Sequence, residues 1–450
     1  MNPPIQQKEL LALCEEGVQA ALAAGADEAE VFATSHTESE ANLEKNDLNQ
    51  IRRVEETTFG IRVVKKGALG FCTSNQPGSL AGAAKEAVTL ASLSPADDHN
   101  GIPEGTALPD TPAAVDPALL ALTVPELTEM CMNLMAQTRA IDSRLTIDSG
   151  SIGITHATQA IANSKGVRAA FEKAGGGGYL FGMCVDGDTV GSFAYDGDVV
   201  QDATQLQPSL ETAFARFAEK CAGALGAQKG ESFRGSILLP PDAVQEFLLG
   251  NLMGVLGANA VRKGQSPLAD KVGTQIASEL FELIEEGAGL PNYRLAPFDR
   301  EGTARTPTPL ITKGALNGFL FDSYEARAAG TTSTGNAAGG ASSMPTVGSG
   351  SLSVGAGTTP LAEMMNIEKG VYVTRFSGST NPITGDFSGV IKGGFLLHGG
   401  EKVAIDETTM AGNLYDCLKN ISAVSKERRA LNGSVLAPTI RIDDVSITAA

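Results

Sequence analysis

The sequence predicts an α+β fold. Residues 1–226 should form an N-terminal α/β domain on an antiparallel sheet, and residues 233–450 a C-terminal, mostly antiparallel β domain with packed helices. Three observations lead there. The chain has 450 residues, more than one hydrophobic core normally serves. Apolar residues recur at three and four in some segments and alternate in others, and the alternating runs are joined by tight-turn sequences. No strand–helix–strand units recur, which argues against a parallel doubly wound sheet.

From Gln6 to Ala24, Leu10, Leu13, Cys14, Val18, Ala21 and Leu22 trace one helix face, and Gly25 ends it. Glu30 to Ser35 reads as a short strand. Phe59, Ile61 and Val63 alternate, as do Leu69, Phe71 and Thr73, with Lys65-Lys66-Gly67 as the turn between them. Helices are predicted over Ser79–Leu93, Val124–Arg139 and Gln207–Leu225, with a Pro/Asp/Gly-rich loop at Ser94–Ala118. A strand meander begins at Arg144, turning at Asn163–Gly166, Asp186–Asp188 and Asp196–Asp198. Gly175–Gly178 within it reads as a bulge or bend.

Gly226–Ser232 is the expected linker. A strand at Ser236–Leu239 follows, then a helix opened by Pro240-Pro241-Asp242. Val244, Leu248, Leu252 and Leu256 are its core positions. Gly250, Gly254 and Gly257 share another face. Each interior glycine costs about 0.8–1 kcal/mol relative to alanine, so a second backbone is expected to pack closely there, the alternative being that the segment is simply a poor helix. A hairpin is read at Pro309–Ser323, a flexible loop at Gly330–Thr359, strands over Gly370–Ile405, a helix at Met410–Val424 and a closing strand at Thr439–Thr448.

Composition bounds the function. The formal net charge is −18, from 34 Lys+Arg against 52 Asp+Glu, which disfavours nucleic acid as a partner. The six cysteines are scattered without a CxxC pair, as expected for free thiols in a reducing, cytoplasmic setting. The opening MNPPIQQKELLALCEEG lacks a basic n-region and a long apolar h-region, so no signal peptide is expected. No run of about 18 apolar residues occurs, so no membrane span is expected either.

Among chemical motifs, no P-loop, GxGxxG or GxSxG occurs. The four histidines (His36, His99, His156, His398) lie far apart and form no HExxH or HxH pair, so the sequence predicts no metal site. His398 reads as a turn residue. The polar loop Ser377–Ser388 is the other unusual stretch, with Asn381-Pro382 and Gly385-Asp386 as strong turn formers, and its plain reading is a β-connection whose Asp386 hydrogen-bonds its own backbone.

Several segments, in order, resemble the TldD/PmbA family. They are Ala41–Asp47, Gly60–Val63, Gly70–Ser74, Asp322–Arg327, Ser333–Ala337, Asn381–Ser388 and Met410–Leu414. The resemblance implies a heterodimeric peptidase that processes or degrades unfolded peptides, a microcin precursor and an antitoxin among them. Its TldD-like members carry HExxxH on a helix, with a later cysteine as a further zinc ligand. Aligned on Arg262–Ser266 and Lys271–Gly273, the HExxxH positions fall here on Leu249, Gly250 and Gly254, which offer no ligand atom. Ser425–Pro438, where the later cysteine would lie, contains none, and Cys417 precedes it.

The chain therefore resembles the non-catalytic, PmbA (TldE)-like branch. That implies no cofactor of its own, zinc in a TldD-like partner subunit, and unfolded peptides as substrates. Self-association into a homodimer is expected when the chain is isolated. The loop Asn381, Pro382, Thr384, Gly385 and Asp386 is the candidate partner or substrate contact. The competing reading is a homodimeric protein-binding regulator of the gyrase-modulator type.

Overall fold

In the computed structural model, residues 4–109, 111–406 and 408–449 are described. The first sheet has seven strands, all antiparallel. Helix α1 (Gln7–Ala23) leads into a long hairpin of β1 (Glu28–Glu44) and β2 (Asp47–Lys65). Strand β3 (Ala68–Ser74) and helix α2 (Leu80–Leu93) follow. The same order then repeats: α3 (Val124–Ile141), a hairpin of β4 (Leu145–Asn163) and β5 (Arg168–Asp186), β6 (Ala194–Val200) and α4 (Ala203–Gly223). The two units join where β1 pairs antiparallel with β4, with Glu38 opposite Thr155 near the middle. The sheet is thus a doubled helix–hairpin–strand–helix unit.

All four helices cover one face. Leu10, Cys14 and Val18 of α1 pack with Val31, Ala33, Phe59, Ile61 and Ala160. Phe214, Phe217 and Cys221 of α4 pack with Leu127, Leu134, Ile152 and Ile154. A capping box of Thr123 and Glu126 starts α3. The opposite face is open at its centre.

Strand β1 is far longer than the predicted Glu30–Ser35. Beyond Ser35 its covered face runs Thr37, Ser39, Ala41 and Leu43 and its other face carries Glu38 and Glu40, so the alternation is polar over Thr37 and Ser39 and turns apolar only at Ala41 and Leu43. Asp196–Asp198 is not a turn but the middle of β6. The Gly175–Gly178 run pairs in regular register with β4 and β6, without a bulge there.

The second sheet has fourteen strands, drawn from residues 228–449. It is antiparallel except for short parallel steps. The predicted linker contributes one of its strands, Gln228–Lys229. Strand β7 (Phe233–Leu239) precedes a segmented helix over 241–262. Strands β8 (Arg375–Thr380) and β9 (Asp386–Lys392) form a hairpin. The predicted helix Met410–Val424 is instead β10 (Thr408–Asn413), helix α5 (Leu414–Lys419) and the start of β11 (Ile421–Leu431). Asn413 accepts a hydrogen bond from the Tyr415 N–H, which starts α5 later than periodicity suggests. Strand β12 (Val435–Ala449) closes the chain.

Gly330–Thr359 is built into the fold rather than loose. Asn336, Ala337 and Ser351 are buried, Ala337–Ala338 pairs with Thr346–Val347, and Leu352–Val354 joins the large sheet. Small residues let this segment thread between the two sheets. A Cβ on Gly60 of β2 would sit 2.1 Å from the Ala341 carbonyl oxygen, a contact that only glycine permits. Among the described residues no helix is long and apolar enough to cross a membrane.

Candidate functional site: a cleft between the two sheets

The open face of the first sheet and the C-terminal residues enclose a cleft of about 770 Å³. Its floor is the glycine run. Gly175 and Gly177 lie opposite Thr155 and Gly153 of β4. A Cβ on Gly177 would come within 2.5 Å of the Asp198 carbonyl oxygen, and one on Gly178 within 2.4 Å of the Ser151 carbonyl oxygen. The neighbouring strand leaves no room for a side chain at cleft-facing Gly177, while Gly178 alternates onto the helix-covered face, so the floor here is bare backbone. Tyr179 and Tyr195 rise from it, 46% and 38% exposed, and Tyr293 faces them from the C-terminal side. Glu38 and Glu40 line one flank and Lys173 another. Burial, followed by the nearby Arg305 charge, holds the Lys173 ammonium below its usual range.

Two charge networks fasten the walls. In the first, the Arg62 Nη2 donates to Glu30 Oε2 and its Nη1 to Glu301 Oε1, each at 2.8 Å, while the Arg300 Nη1 reaches Glu30 Oε1 at 2.9 Å. All four residues are buried, and Arg300 also stacks over the Phe32 ring. Glu301 further accepts from the Ser323 hydroxyl and N–H. Burial pushes its carboxyl up, but Arg62 and Ser323 outweigh this and hold it below the usual range.

In the second network, Asp196 of β6 meets Arg216 at 2.8 Å and Lys220 at 2.9 Å, both from α4, and Arg429 of β11 at 3.5 Å. Asp242, at the head of the segmented helix, meets Lys220 at 3.0 Å and Arg429 at 2.5 Å. Burial raises the Asp196 carboxyl, and the Arg216 hydrogen bonds with the neighbouring cations more than reverse it.

The positions expected to replace a metal motif do not converge. The segmented helix is π-helical over Val244–Leu249, α-helical over Gly250–Leu256, and broken by extended backbone at Gly257. Val244, Leu248, Leu252 and Leu256 are core, as expected, and Leu249 joins them at 2% exposure. Gly250 and Gly254 face outward. The close backbone packing predicted for the glycine face is absent at both. A Cβ on Gly254 would meet nothing within 4 Å, and one on Gly250 only the Gln245 carbonyl oxygen at 3.6 Å. Only Gly257 is crowded, by the Asn259 side chain and Val347. A buried leucine and two outward glycines do not fit a zinc ion. Among the described residues no group of three or more His, Cys, Asp or Glu could hold a metal.

The loop Asn381–Asp386 tips the β8–β9 hairpin. Asn381 caps it by accepting from the Ile383 and Thr384 N–H groups. Thr384 and Asn413 donate to Asp386, and the Tyr415 hydroxyl donates to the Pro382 carbonyl. Its polar residues therefore fix its own shape, while Ile383 at the tip is 47% exposed. The body of the hairpin packs on the segmented helix, with Phe376 and Phe387 edge-on to Phe247 at 5.1 and 4.9 Å. Sequence reasoning missed the cleft itself. Its one legible signal was the glycine run followed by Tyr179.

Two sheets clamped about an aromatic cleft are, in this chain, the fold of a metallopeptidase family. Residues 232–449 match the PmbA/TldA metallopeptidase C-terminal domain and residues 29–91 match PmbA/TldA metallopeptidase domain 1. The chain belongs to the PmbA/TldD family. It is 26% identical to Metalloprotease PmbA of Escherichia coli O157:H7 over 453 residues, covering 96% of each chain. It is 31% identical to an uncharacterized protein of Methanocaldococcus jannaschii over 216 residues, covering 47% of this chain and 50% of that one. The fold is similar to the crystal structure of TldE from Thermococcus kodakarensis, with TM-score 0.88 and 24% identity over 97% of this chain and 100% of that one. It is also similar to a Thermotoga maritima structure described as a proposed modulator of a DNA gyrase, with TM-score 0.84 and 21% identity over 98% and 100%.

Proposed function

We propose that this chain is the non-catalytic, PmbA/TldE-like subunit of a heterodimeric metallopeptidase, acting on unfolded peptides beside a TldD-like subunit that holds the zinc. One observation carries the reading. Leu249 is buried in the core and Gly250 and Gly254 have no side chain, so the helix that would bear HExxxH supplies neither a ligand nor a base. The cleft supports the substrate class. Its bare floor lets an extended chain lie close, its tyrosines offer flat apolar contact, and Glu38 and Glu40 favour basic side chains.

The test is a peptidase assay on this chain, on a TldD-like subunit and on their mixture, with an unfolded protein as substrate. Activity is expected in the mixture, abolished by chelation and absent from this chain alone. Chelator-resistant activity in this chain alone would refute the reading. The second reading, a homodimeric protein-binding regulator, draws on the description of the Thermotoga maritima structure. It predicts no peptidase activity on mixing.

A further inference from the structure

Tyr195 and Asp242 line both the cleft and a constriction of about 20 Å³, on whose other side lies a second cavity of about 260 Å³ between the β5–β6 connection and the β8–β9 hairpin. Arg375 and Lys392 line both the narrow passage and this cavity. They are direct cross-strand partners, the first residue of β8 opposite the last of β9. Like charges so placed destabilise a hairpin. Neither has a carboxylate within ion-pair reach among the described residues, and the Arg375 Nε is buried without any hydrogen-bond partner.

Other Lys and Arg side chains of this chain also lack an ion pair among the described residues; what sets Arg375 and Lys392 apart is that they stand opposite each other and line one cavity together. The acids nearest the pair do not neutralise it. Asp242 is taken by Lys220 and Arg429. Glu246 feels the Arg375 charge without bonding to it, and Asp406 lines the far side of the cavity. An uncompensated, partly desolvated cation pair gains most from an anion that enters the cavity. The wall beside it is apolar. Val190 is 61% and Phe193 43% exposed, and Phe193 stacks on Phe181 of the main cleft at 5.1 Å.

We propose that Arg375 and Lys392 form a carboxylate-binding site for the C-terminus of a peptide lying in the cleft, with the last side chain against Val190 and Phe193. This rests on the peptide-handling reading above, and it specifies which end of the chain is held. A monoanion suits the site better than a phosphate, because Asp406 and Asp242 also face the space.

The test is fluorescence anisotropy with the full chain and a dye-labelled unstructured peptide ending in leucine, prepared as the free acid and as the C-terminal amide. The free acid is expected to bind at least about tenfold more tightly. Arg375→Gln and Lys392→Gln should each reduce that ratio, Arg375→Lys should retain part of it, and the amide should bind all variants alike. Acetate should compete better than inorganic phosphate. Equal binding of acid and amide, no binding of either at millimolar concentration, or a ratio that survives both substitutions would overturn the proposal. Better competition by phosphate would overturn the choice of ligand. If Arg375→Gln fails to fold, the Lys392→Gln ratio decides. Peptidase activity on mixing subunits while acid and amide bind equally would sink this site and leave the proposed function standing; the reverse result would do the opposite.

Discussion

Replacing Arg62 with methionine isolates the interdomain hub. Arg62 is 3% exposed and bonds both Glu30 and Glu301 at 2.8 Å. Removing one partner of a buried ion pair costs about 3–5 kcal/mol, because the other charge is left uncompensated. Here each carboxylate keeps some support: Glu30 retains Arg300 at 2.9 Å, and Glu301 retains the Ser323 hydroxyl and N–H. The expected loss is therefore at the lower end, about 3 kcal/mol, which is roughly a hundredfold in the folding equilibrium. Urea unfolding followed by far-UV circular dichroism and tyrosine emission suits a chain with no tryptophan. A second variant sharpens the test. Replacing Glu30, Arg62, Arg300 and Glu301 together with apolar residues of similar volume should restore most of the loss, since a buried network is worth little against good packing. A loss below about 1 kcal/mol for Arg62→Met, or a fourfold variant as unstable as the single one, would refute the assignment of uncompensated charge as the cause.

Asp322 is 5% exposed and accepts the Glu325 N–H at the start of the helix Ser323–Ala329. Burial first, then Glu301 and Glu325, push its carboxyl up to about 6. A raised carboxyl contributes stability fully below its unfolded value and loses it as pH rises through about 6. Asp322→Asn keeps the cap and removes the titration, so between pH 4 and 7 it should gain roughly 2–3 kcal/mol relative to the native chain; a pH-independent difference in urea midpoints would count against this. All six cysteines are free, and only Cys72 is not buried. Thiol titration should find six in denatured, unreduced protein, with Cys72 labelled first in the native state; fewer than six would reveal a disulfide. Elemental analysis of tag-free protein should find no stoichiometric zinc, and about one zinc per chain would contradict the reading of Leu249, Gly250 and Gly254.

Legibility followed the apolar pattern. Helices α1, α2 and α3 and the β2–β3 turn lay in plain view because their buried residues recur at helix or strand period. Strand β1 did not, since the buried polar residues Ser35, Thr37 and Ser39 interrupt the apolar alternation between Ala33 and Ala41. The doubling of the N-terminal unit was equally hidden. It is a repetition of element order, while the residues on the open face serve the cleft and differ between copies: Glu38 and Glu40 in β1, Gly153 and Thr155 in β4. The glycines misled twice in opposite directions. Gly175–Gly178 read as an irregularity and is a regular strand crowded by its neighbours. Gly250 and Gly254 read as a crowded face and look into open space. A run of glycine says that no side chain is present; only the third dimension says whether one was unaffordable or simply unneeded.

The segments through which the chain resembles its family bear on this distinction. Gly60–Val63 supplies the close approach to Ala341 and the Arg62 guanidinium. Asp322–Arg327 supplies the helix cap and the Ser323 hydroxyl on Glu301. Ser333–Ala337 supplies the Ala337 N–H that binds buried Asp299. Two regions far apart in sequence, Gly60–Val63 and the neighbouring stretches Asp322–Arg327 and Ser333–Ala337, thus meet around one hub that fastens the first sheet to the second. Their chemistry is that of mating, and none of them lines the cleft. Leu249 packs into the C-terminal core while the hub sits between the sheets, so changes along the segmented helix leave the hub undisturbed. Substitutions at the hub should therefore change cleft geometry and stability together, whereas Gly250→Ala and Gly254→Ala, whose added Cβ meets open space, should leave the cleft unchanged and each raise stability by up to about 1 kcal/mol.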